Sequence, residues 1–268
     1  MTNGTAGSAP IQGDLWGARA RDWASIQEAT AHPAYDRVLA RTPIDATTHV
    51  LDVGCGSGIF LGLASARGAR VSGLDAAPPL AALARERVPT ADVRIGEMEA
   101  LPFADGAFDL VTGFNAFQYA ARPTSALAEA RRVARSGAAL VVTTWGKPGD
   151  CDATAYLVAL GKLLPPPPPG APGPFALSAD GALEALVDAA GWRPEAAEDV
   201  LCPFIYPDLA TALRGLLSSG PAVRAVRNAG EERTTEAITA AIEPFRSDSG
   251  GYRLVNTFRY LIATTSRP

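Results

Sequence analysis

The sequence predicts an α/β protein, with a mostly parallel sheet covered by helices on both faces. Three observations predict it. Short apolar strands and helical stretches alternate strictly from His49 to Thr144, with short connections between them. Segments such as LVTGF (110–114) and ALVVTT (139–144) are apolar almost throughout, as strands covered on both faces must be. A turn with glycines at alternate positions, Gly54, Gly56 and Gly58, joins the first strand to the helix after it.

The elements follow in order. MTNGTAGSAPIQGDLWG has neither the basic nor the apolar segment of a signal peptide and reads as a short flexible lead-in. From Asp14 to Ala40, Leu15, Trp16, Trp23, Ile26, Tyr35, Val38 and Leu39 recur at helical spacing, and Pro33 suits the first turn of a second helix. After a turn at 42–48 come a strand at His49–Val53, a helix at Gly58–Arg67 stopped by Gly68, and a strand at Ala69–Leu74. Next are a helix at Pro79–Val88 and strands at Asp92–Ile95 and Phe108–Phe114, the latter introduced by the turn Ala104-Asp105-Gly106. A helix at Thr124–Ala134 and a strand at Ala138–Thr144 complete the alternation.

Beyond Trp145 the pattern changes. Leu163–Pro174 contains five consecutive prolines and reads as an extended connector. Ser178–Ala190 is a helix with Ser178 as its cap and Gly191 as its stop, and Glu198–Ile205 is a strand. Asp208–Leu217, Pro221–Asn228 and Thr234–Phe245 are helical, and Tyr252–Thr264 returns to β character. The chain thus divides into a lead-in and helical lid (1–41), an α/β core (42–150) and a C-terminal part of the same domain (151–268). That last part carries a helical insertion over roughly 208–247 and a final strand over roughly 252–264.

Composition limits the function. The 268 residues carry a net charge of −4 and are 47% hydrophobic. With no basic stripe, nucleic acid has no electrostatic footing as a partner. No window approaches 18 uninterrupted apolar residues, so no membrane span is expected. Cys55, Cys151 and Cys202 are odd in number and far apart, and only two histidines accompany them. That makes no metal pattern and suits a reduced, cytoplasmic chain. A homodimer is left open.

The glycine turn decides between ligands. A Walker loop needs G-x-x-x-x-G-K-S/T, and no lysine follows here. The dinucleotide fingerprint G-x-G-x-x-G would need glycine where Ile59 stands. The observed form is D-x-G-x-G-x-G, from Asp52 to Gly58. VLDVGCGSG resembles motif I of the class I S-adenosylmethionine-dependent methyltransferases. The resemblance continues through Val71-Ser72-Gly73-Leu74-Asp75 and through Gly96-Glu97-Met98-Glu99-Ala100-Leu101-Pro102-Phe103. The latter is similar to the G-D-A-E-x-L-P-F stretch of the ubiquinone and menaquinone methyltransferase-like (type 11) subgroup. With Ala107-Phe108-Asp109-Leu110-Val111 it covers about residues 49 to 145. LWGARARDWASIQEA (15–29) and FRYLIATT (258–265) are similar to a bacterial branch of the same family.

The resemblance implies a Rossmann-like fold with a seven-stranded sheet and S-adenosylmethionine as cofactor, S-adenosylhomocysteine being the product. It implies that Asp52 meets the methionine ammonium, with capping of the following turn as the alternative. Gly54, Cys55, Gly56 and Gly58 form the loop, the Cys55 sulfur being a small buried filler. Asp75 accepts the ribose hydroxyls, unless it is only a helix cap. Ala76, Glu97 and Met98 surround the adenine, with a solvated loop charge as the other reading of Glu97. Asn115 stands at the rim, and Trp16 and Trp23 belong to a lid that covers the cofactor. Phe117, Gln118, Tyr119 and Trp145 line the acceptor side, although Phe117 and Tyr119 suit core packing equally well. Candidates for a catalytic base are His32, Tyr35 and Tyr119. The expected reaction is methyl transfer to a small apolar or aromatic metabolite at O, N or C. The alternative is a cofactor-binding member of the fold that catalyses a non-methylating step, such as a cyclisation in natural-product biosynthesis.

Overall fold

The computed structural model describes residues 7–166 and 173–265; the middle of the proline-rich connector, 167–172, lies outside the described residues. The chain opens with α1 (Ala9–Gly17) and α2 (Ala20–Asp22). One turn of π-helix (Trp23–Gln27) and one of 3-10 helix (Glu28–Ala31) lead into α3 (His32–Arg41). Residues 9–17, expected from the sequence as part of a flexible lead-in, are helical, and residues 1–6 of that stretch lie outside the described residues. Helix α1 starts at Ala9 because the Glu97 carboxylate accepts from the Ala9 N–H at 2.7 Å and stands in for a local cap.

The alternating part follows: β1 (His49–Val53), α4 (Ile59–Ser65), β2 (Arg70–Asp75), α5 (Pro78–Arg87), β3 (Asp92–Ile95), β4 (Phe108–Phe114), α6 (Pro123–Val133) and β5 (Ala134–Trp145). Strands β1, β3 and β4 coincide with the predicted segments. Strand β5 begins four residues early because Ala134 already pairs with Phe108, across a register shift.

After β5 comes α7 (Thr154–Lys162), a helix for which the sequence shows no clear signal, whose Tyr156 and Leu160 turn one face into the core. Helix α8 (Ala182–Ala189) starts after Gly181, at φ +78°, and not at Ser178. The Ser178 hydroxyl instead donates to the Phe175 carbonyl at 2.8 Å and closes a separate turn. The single strand expected at Glu198–Ile205 is two, β6 (Arg193–Leu201) and β7 (Phe204–Tyr206), broken at Cys202-Pro203. Helices α9 (Leu209–Leu217), α10 (Gly220–Ala229) and α11 (Glu231–Ile242) form the insertion. Asp208 caps α9 by accepting from the Thr211 N–H at 2.7 Å. Strands β8 (Tyr252–Leu254) and β9 (Thr257–Thr264) end the description.

The main sheet has seven strands in the order β3-β2-β1-β4-β5-β9-β6, and β7 and β8 form a separate pair. Strand β9 runs antiparallel to both β5 and β6, and the remaining neighbours pair in parallel. The strand order reverses between β1 and β4. Ligands of open α/β sheets bind outside the carboxyl ends of the strands at such a reversal. Val50, Leu51, Val53, Leu110 and Val111 are each at most 3% exposed. Burial at roughly 1.5–3 kcal/mol per side chain makes these strand ends a rigid platform. Trp192 ties the far face together, its indole N–H donating to the Leu127 carbonyl at 2.9 Å. Among the described residues no helix is long and apolar enough to cross a membrane.

Candidate cofactor and acceptor site

The glycine loop leaves β1 and is pinned at once to β2, since the Gly54 and Cys55 N–H groups both donate to the Leu74 carbonyl, at 2.7 and 3.0 Å. Gly54 and Gly56 hold φ of +73° and +54°, the left-handed region that a side chain disfavours. Each is also closely approached. A Cβ on Gly54 would lie 2.5 Å from that of Ala116, and one on Gly56 would lie 2.6 Å from Oε1 of Glu28. Gly58 faces elsewhere: a Cβ there would meet Ala84 of α5 at 3.0 Å, so this glycine serves helix packing and not the cavity.

Above this loop lies one cavity, enclosing about 1130 Å³ of empty space with its mouth included. Gly54, Gly56, Asp75, Ala76, Met98 and Asn115 line it, together with Trp16 and Trp23 of the lid. The Asp75 carboxylate accepts from the Gly56 and Ala77 N–H groups, both at 2.8 Å, which orients it at the end of β2. Burial raises its pKa to about 6. Asn115 carries the one positive φ, +50°, of any non-glycine among the described residues. Its backbone N–H donates to the Thr143 hydroxyl at 2.9 Å, which holds this strained turn at the rim. Trp16 stands edge-on to Trp23 at 4.7 Å and to Tyr119 at 5.3 Å.

Several expected contacts lie elsewhere. Asp52 is 3% exposed and lines no part of the cavity. Its Oδ1 accepts from the Thr112 hydroxyl at 2.7 Å, and burial raises its pKa to about 8. The Cys55 sulfur is the buried filler that the sequence reading expects, packed against Gly73, where a Cβ would come within 2.8 Å of it. Glu97 is engaged with α1 through Ala9. Phe117 is fully buried under Gly113, a core position beneath the rim, and Gln118 is likewise absent from the wall. His32 is not on the cavity wall and stands edge-on to Tyr35 at 5.7 Å. Tyr35 and Tyr119 do line it, and so does Trp145. Burial holds the Tyr35 hydroxyl well above its ordinary value and raises that of Tyr119 to about 12, so neither ionises near neutral pH.

The structure adds residues that sequence reasoning missed. The π and 3-10 turns after α2 bring Trp23, Gln27 and Glu28 to the cavity together, which a regular α-helix could not do for so broad a face. Both Glu28 oxygens accept from the Ser57 N–H, at 3.0 and 3.1 Å, and burial raises its pKa to about 7. A signal was present: Glu28 stands two helical turns before the buried Tyr35, a charge on the apolar stripe. Tyr156, Phe204 and Phe258 complete an aromatic chamber with Tyr35, Phe114 and Trp145. Trp145 meets Phe258 at 5.0 Å and Phe204 at 6.1 Å, and Tyr35 meets Phe114 at 4.6 Å. No periodicity connects these positions, which converge only through the sheet order.

The lid and the insertion close over the site jointly. Asp14 pairs with Arg227, Arg19 with Glu231 at 2.6 Å, and Asp22 with Arg214 at 2.5 Å. The buried Tyr206 hydroxyl donates to Gln27 Oε1 at 2.7 Å, and Trp16 lies against Gly220.

The cavity suits the cofactor that the sequence resemblance implies. Its described wall holds two carboxylates, Glu28 and Asp75, and no Lys, Arg or His. A net-cationic nucleoside with a ribose diol matches that wall. Comparison with known proteins agrees. Residues 51–142 match a family model described as a methyltransferase domain. The chain is 33% identical over 109 residues to malonyl-acyl-carrier-protein O-methyltransferase of Serratia marcescens, covering 41% of this chain and 43% of that one. It is 34% identical over 139 residues to demethylmenaquinone methyltransferase of Thermus thermophilus, covering 49% and 61%. In each case the match spans less than two thirds of the relative's length. The crystal structure of the (4+2)-cyclase SpnF shares the fold, with a TM-score of 0.59 and 20% identity over 97% of this chain and 93% of that one.

Proposed function

We propose, on the premise that this chain contains a class I S-adenosylmethionine-dependent methyltransferase domain of Rossmann-like fold, that it methylates a small, uncharged apolar or aromatic metabolite. One observation carries the reading. A single cavity runs from the glycine loop and Asp75 into an aromatic chamber, with no cationic side chain along its described wall to hold an anionic acceptor.

When bound, S-adenosylmethionine supplies an electrophilic methyl group on a sulfonium. The chain's own residues position the partners. Asp75 accepts the ribose hydroxyls, and Ala76, Leu80 and Met98 enclose the adenine. Gly54 and Gly56 let the ligand approach the backbone. The aromatic faces of Trp16, Trp23 and Tyr119 shield the positive charge from water. Tyr35, Phe114, Trp145, Tyr156, Phe204 and Phe258 fix the acceptor by shape and exclude water from the line of attack. Alignment and desolvation then carry the rate enhancement. The Tyr35, Tyr119 and Tyr156 hydroxyls are all shifted upward by burial and cannot remove a proton at neutral pH. The acceptor atom therefore attacks in its neutral form, and any proton it carries passes to water once the methyl has transferred.

Incubation with methyl-labelled cofactor tests this against two acceptor panels, neutral phenols and other apolar compounds on one side and carboxylic acids on the other. Label is expected on the neutral panel, and label confined to the acids would overturn the reading. Turnover of an acceptor without label would favour the alternative, a cyclisation in natural-product biosynthesis. That reaction would use the same chamber, on the fold that the (4+2)-cyclase shares.

A further inference from the structure

The family motif suggests Asp52 for the amino-acid end of the cofactor. Asp52, at the end of β1, is turned toward Thr112 and contributes nothing to the cavity wall. Glu28 contributes where Asp52 does not. It is 5% exposed, it reaches over Gly56, and it comes from the N-terminal lid. We propose that Glu28 is the counter-ion for the methionine ammonium group, so that the lid itself carries the anion that reads this end of the ligand. This deepens the cofactor reading above and rests on it.

Three observations support the assignment. First, the protein satisfies Glu28 only in part. Both oxygens share the single Ser57 N–H, whereas a carboxylate offers about four acceptor positions. Second, among the described residues no Lys or Arg forms an ion pair with it. Arg87 comes near enough to attract the carboxylate, but its hydrogen bond goes to the Ser57 hydroxyl, 2.8 Å away, and not to Glu28. A buried carboxylate without a cation is costly, and a cationic ligand group arriving beside Gly56 removes that cost. Third, the π turn that precedes Glu28 sets Trp23 and Gln27 on the same wall. The apolar cover and the anion therefore arrive on one rigid segment. Asp75 is the other charged group on the wall, and its place at the end of β2 suits the ribose.

The consequence is that lid closure and amino-acid recognition are one event. A nucleoside that lacks the amino-acid tail should bind without drawing on Glu28. Titration calorimetry on the full chain tests this with two probes, S-adenosylhomocysteine and 5′-methylthioadenosine, which shares the nucleoside and thioether but has no amino-acid end. Glu28→Gln is the informative variant because its amide oxygen can still accept from Ser57. It should bind S-adenosylhomocysteine about 10- to 100-fold more weakly, the effect of losing a charge-assisted hydrogen bond, and 5′-methylthioadenosine within about 2-fold of the parent. Equal weakening of both probes would show a merely structural pin and overturn the proposal, as would unchanged affinity for S-adenosylhomocysteine. Asp52→Asn, whose side-chain oxygen can still accept from Thr112, gives an independent reading: it should bind S-adenosylhomocysteine within about 2-fold of the parent, and a loss of about 10- to 100-fold there would return the role to Asp52 and overturn the proposal. Failure of the parent to bind either nucleoside would instead overturn the cofactor reading, and this assignment with it.

Discussion

Gly54→Ala should destabilise the protein more than Gly106→Ala, although both glycines sit at similar left-handed φ, +73° and +60°. An alanine at either position carries the left-handed penalty of about 1–2 kcal/mol. At Gly106 nothing lies within 4 Å of the new Cβ, so the penalty stops there. At Gly54 the new methyl would lie 2.5 Å from the Ala116 Cβ, where carbon atoms settle at about 3.5–4.0 Å. Neither side can give way cheaply. Gly54 is tied to Leu74 at 2.7 Å, and Ala116 follows Asn115, itself held by Thr143. Overpacking of this kind adds about 1–3 kcal/mol. The expected losses are thus about 2–5 kcal/mol for Gly54→Ala against about 1–2 kcal/mol for Gly106→Ala. Thermal melting followed by circular dichroism resolves the difference, since each kcal/mol shifts Tm by about 2–4 °C at this size. Adding Ala116→Gly should remove the clash, so the double variant should regain about 1–3 kcal/mol relative to additivity. Equal losses at the two glycines, or no recovery in the double variant, would refute the account of why the loop needs glycine at 54.

Other outcomes follow from the same geometry. Glu28, Asp52 and Asp75 have folded-state pKa values of about 7, 8 and 6, raised from 4.5, 3.8 and 3.8 chiefly by burial. Between the unfolded and folded values the native chain holds more protons than the unfolded one, so these groups make stability fall as pH rises from about 4 to about 8. Ligand-free protein should therefore lose Tm between pH 5 and pH 8, and Asp52→Asn should flatten that loss; an unchanged slope would contradict the burial argument. A ligand ammonium group favours the ionised carboxylates, so binding at pH 7 should release protons, detectable by calorimetry in buffers of different ionisation enthalpy. Asp22→Asn, which breaks the pair with Arg214 at the lid surface, should cost less than about 1 kcal/mol. A Tm drop much larger than about 4 °C would mean that this contact holds the lid far more tightly than an exposed pair can. Three of the four tryptophans, Trp16, Trp23 and Trp145, line the cavity, and Trp192 does not. Binding of S-adenosylhomocysteine should change intrinsic fluorescence to the same degree in Trp192→Phe as in the parent, and a response lost in that variant would place the ligand elsewhere.

The alternation from β1 to β5 was legible because each element there is written locally. An apolar run under two layers of helix looks the same wherever it stands, and β1, β3 and β4 fall where the residues predict. The glycine loop was legible for the same reason, since positive φ and close approach leave glycine as the residue of choice. Other features were not local. Helix α1 starts at Ala9 because a carboxylate 88 residues away caps it. Ser178 looked like a cap, but Gly181 supplies the left-handed turn that α8 needs. Asp52 and Glu28 illustrate the limit most sharply. Motif spacing puts Asp52 beside the loop but cannot tell which way its carboxylate turns, and that depends on Thr112 from a neighbouring strand.

By itself the sequence determined an α/β core with a nucleoside loop at the end of its first strand, because strand period, turn chemistry and glycine are properties of neighbouring residues. Only the tertiary structure decided what stands over that loop. The order β1-β4-β5-β9 brings Phe114, Trp145 and Phe258 to one edge, and the lid and strand β7 add Glu28 and Phe204 from distant parts of the chain. Such convergence is set by packing between distant segments, and no local pattern records it.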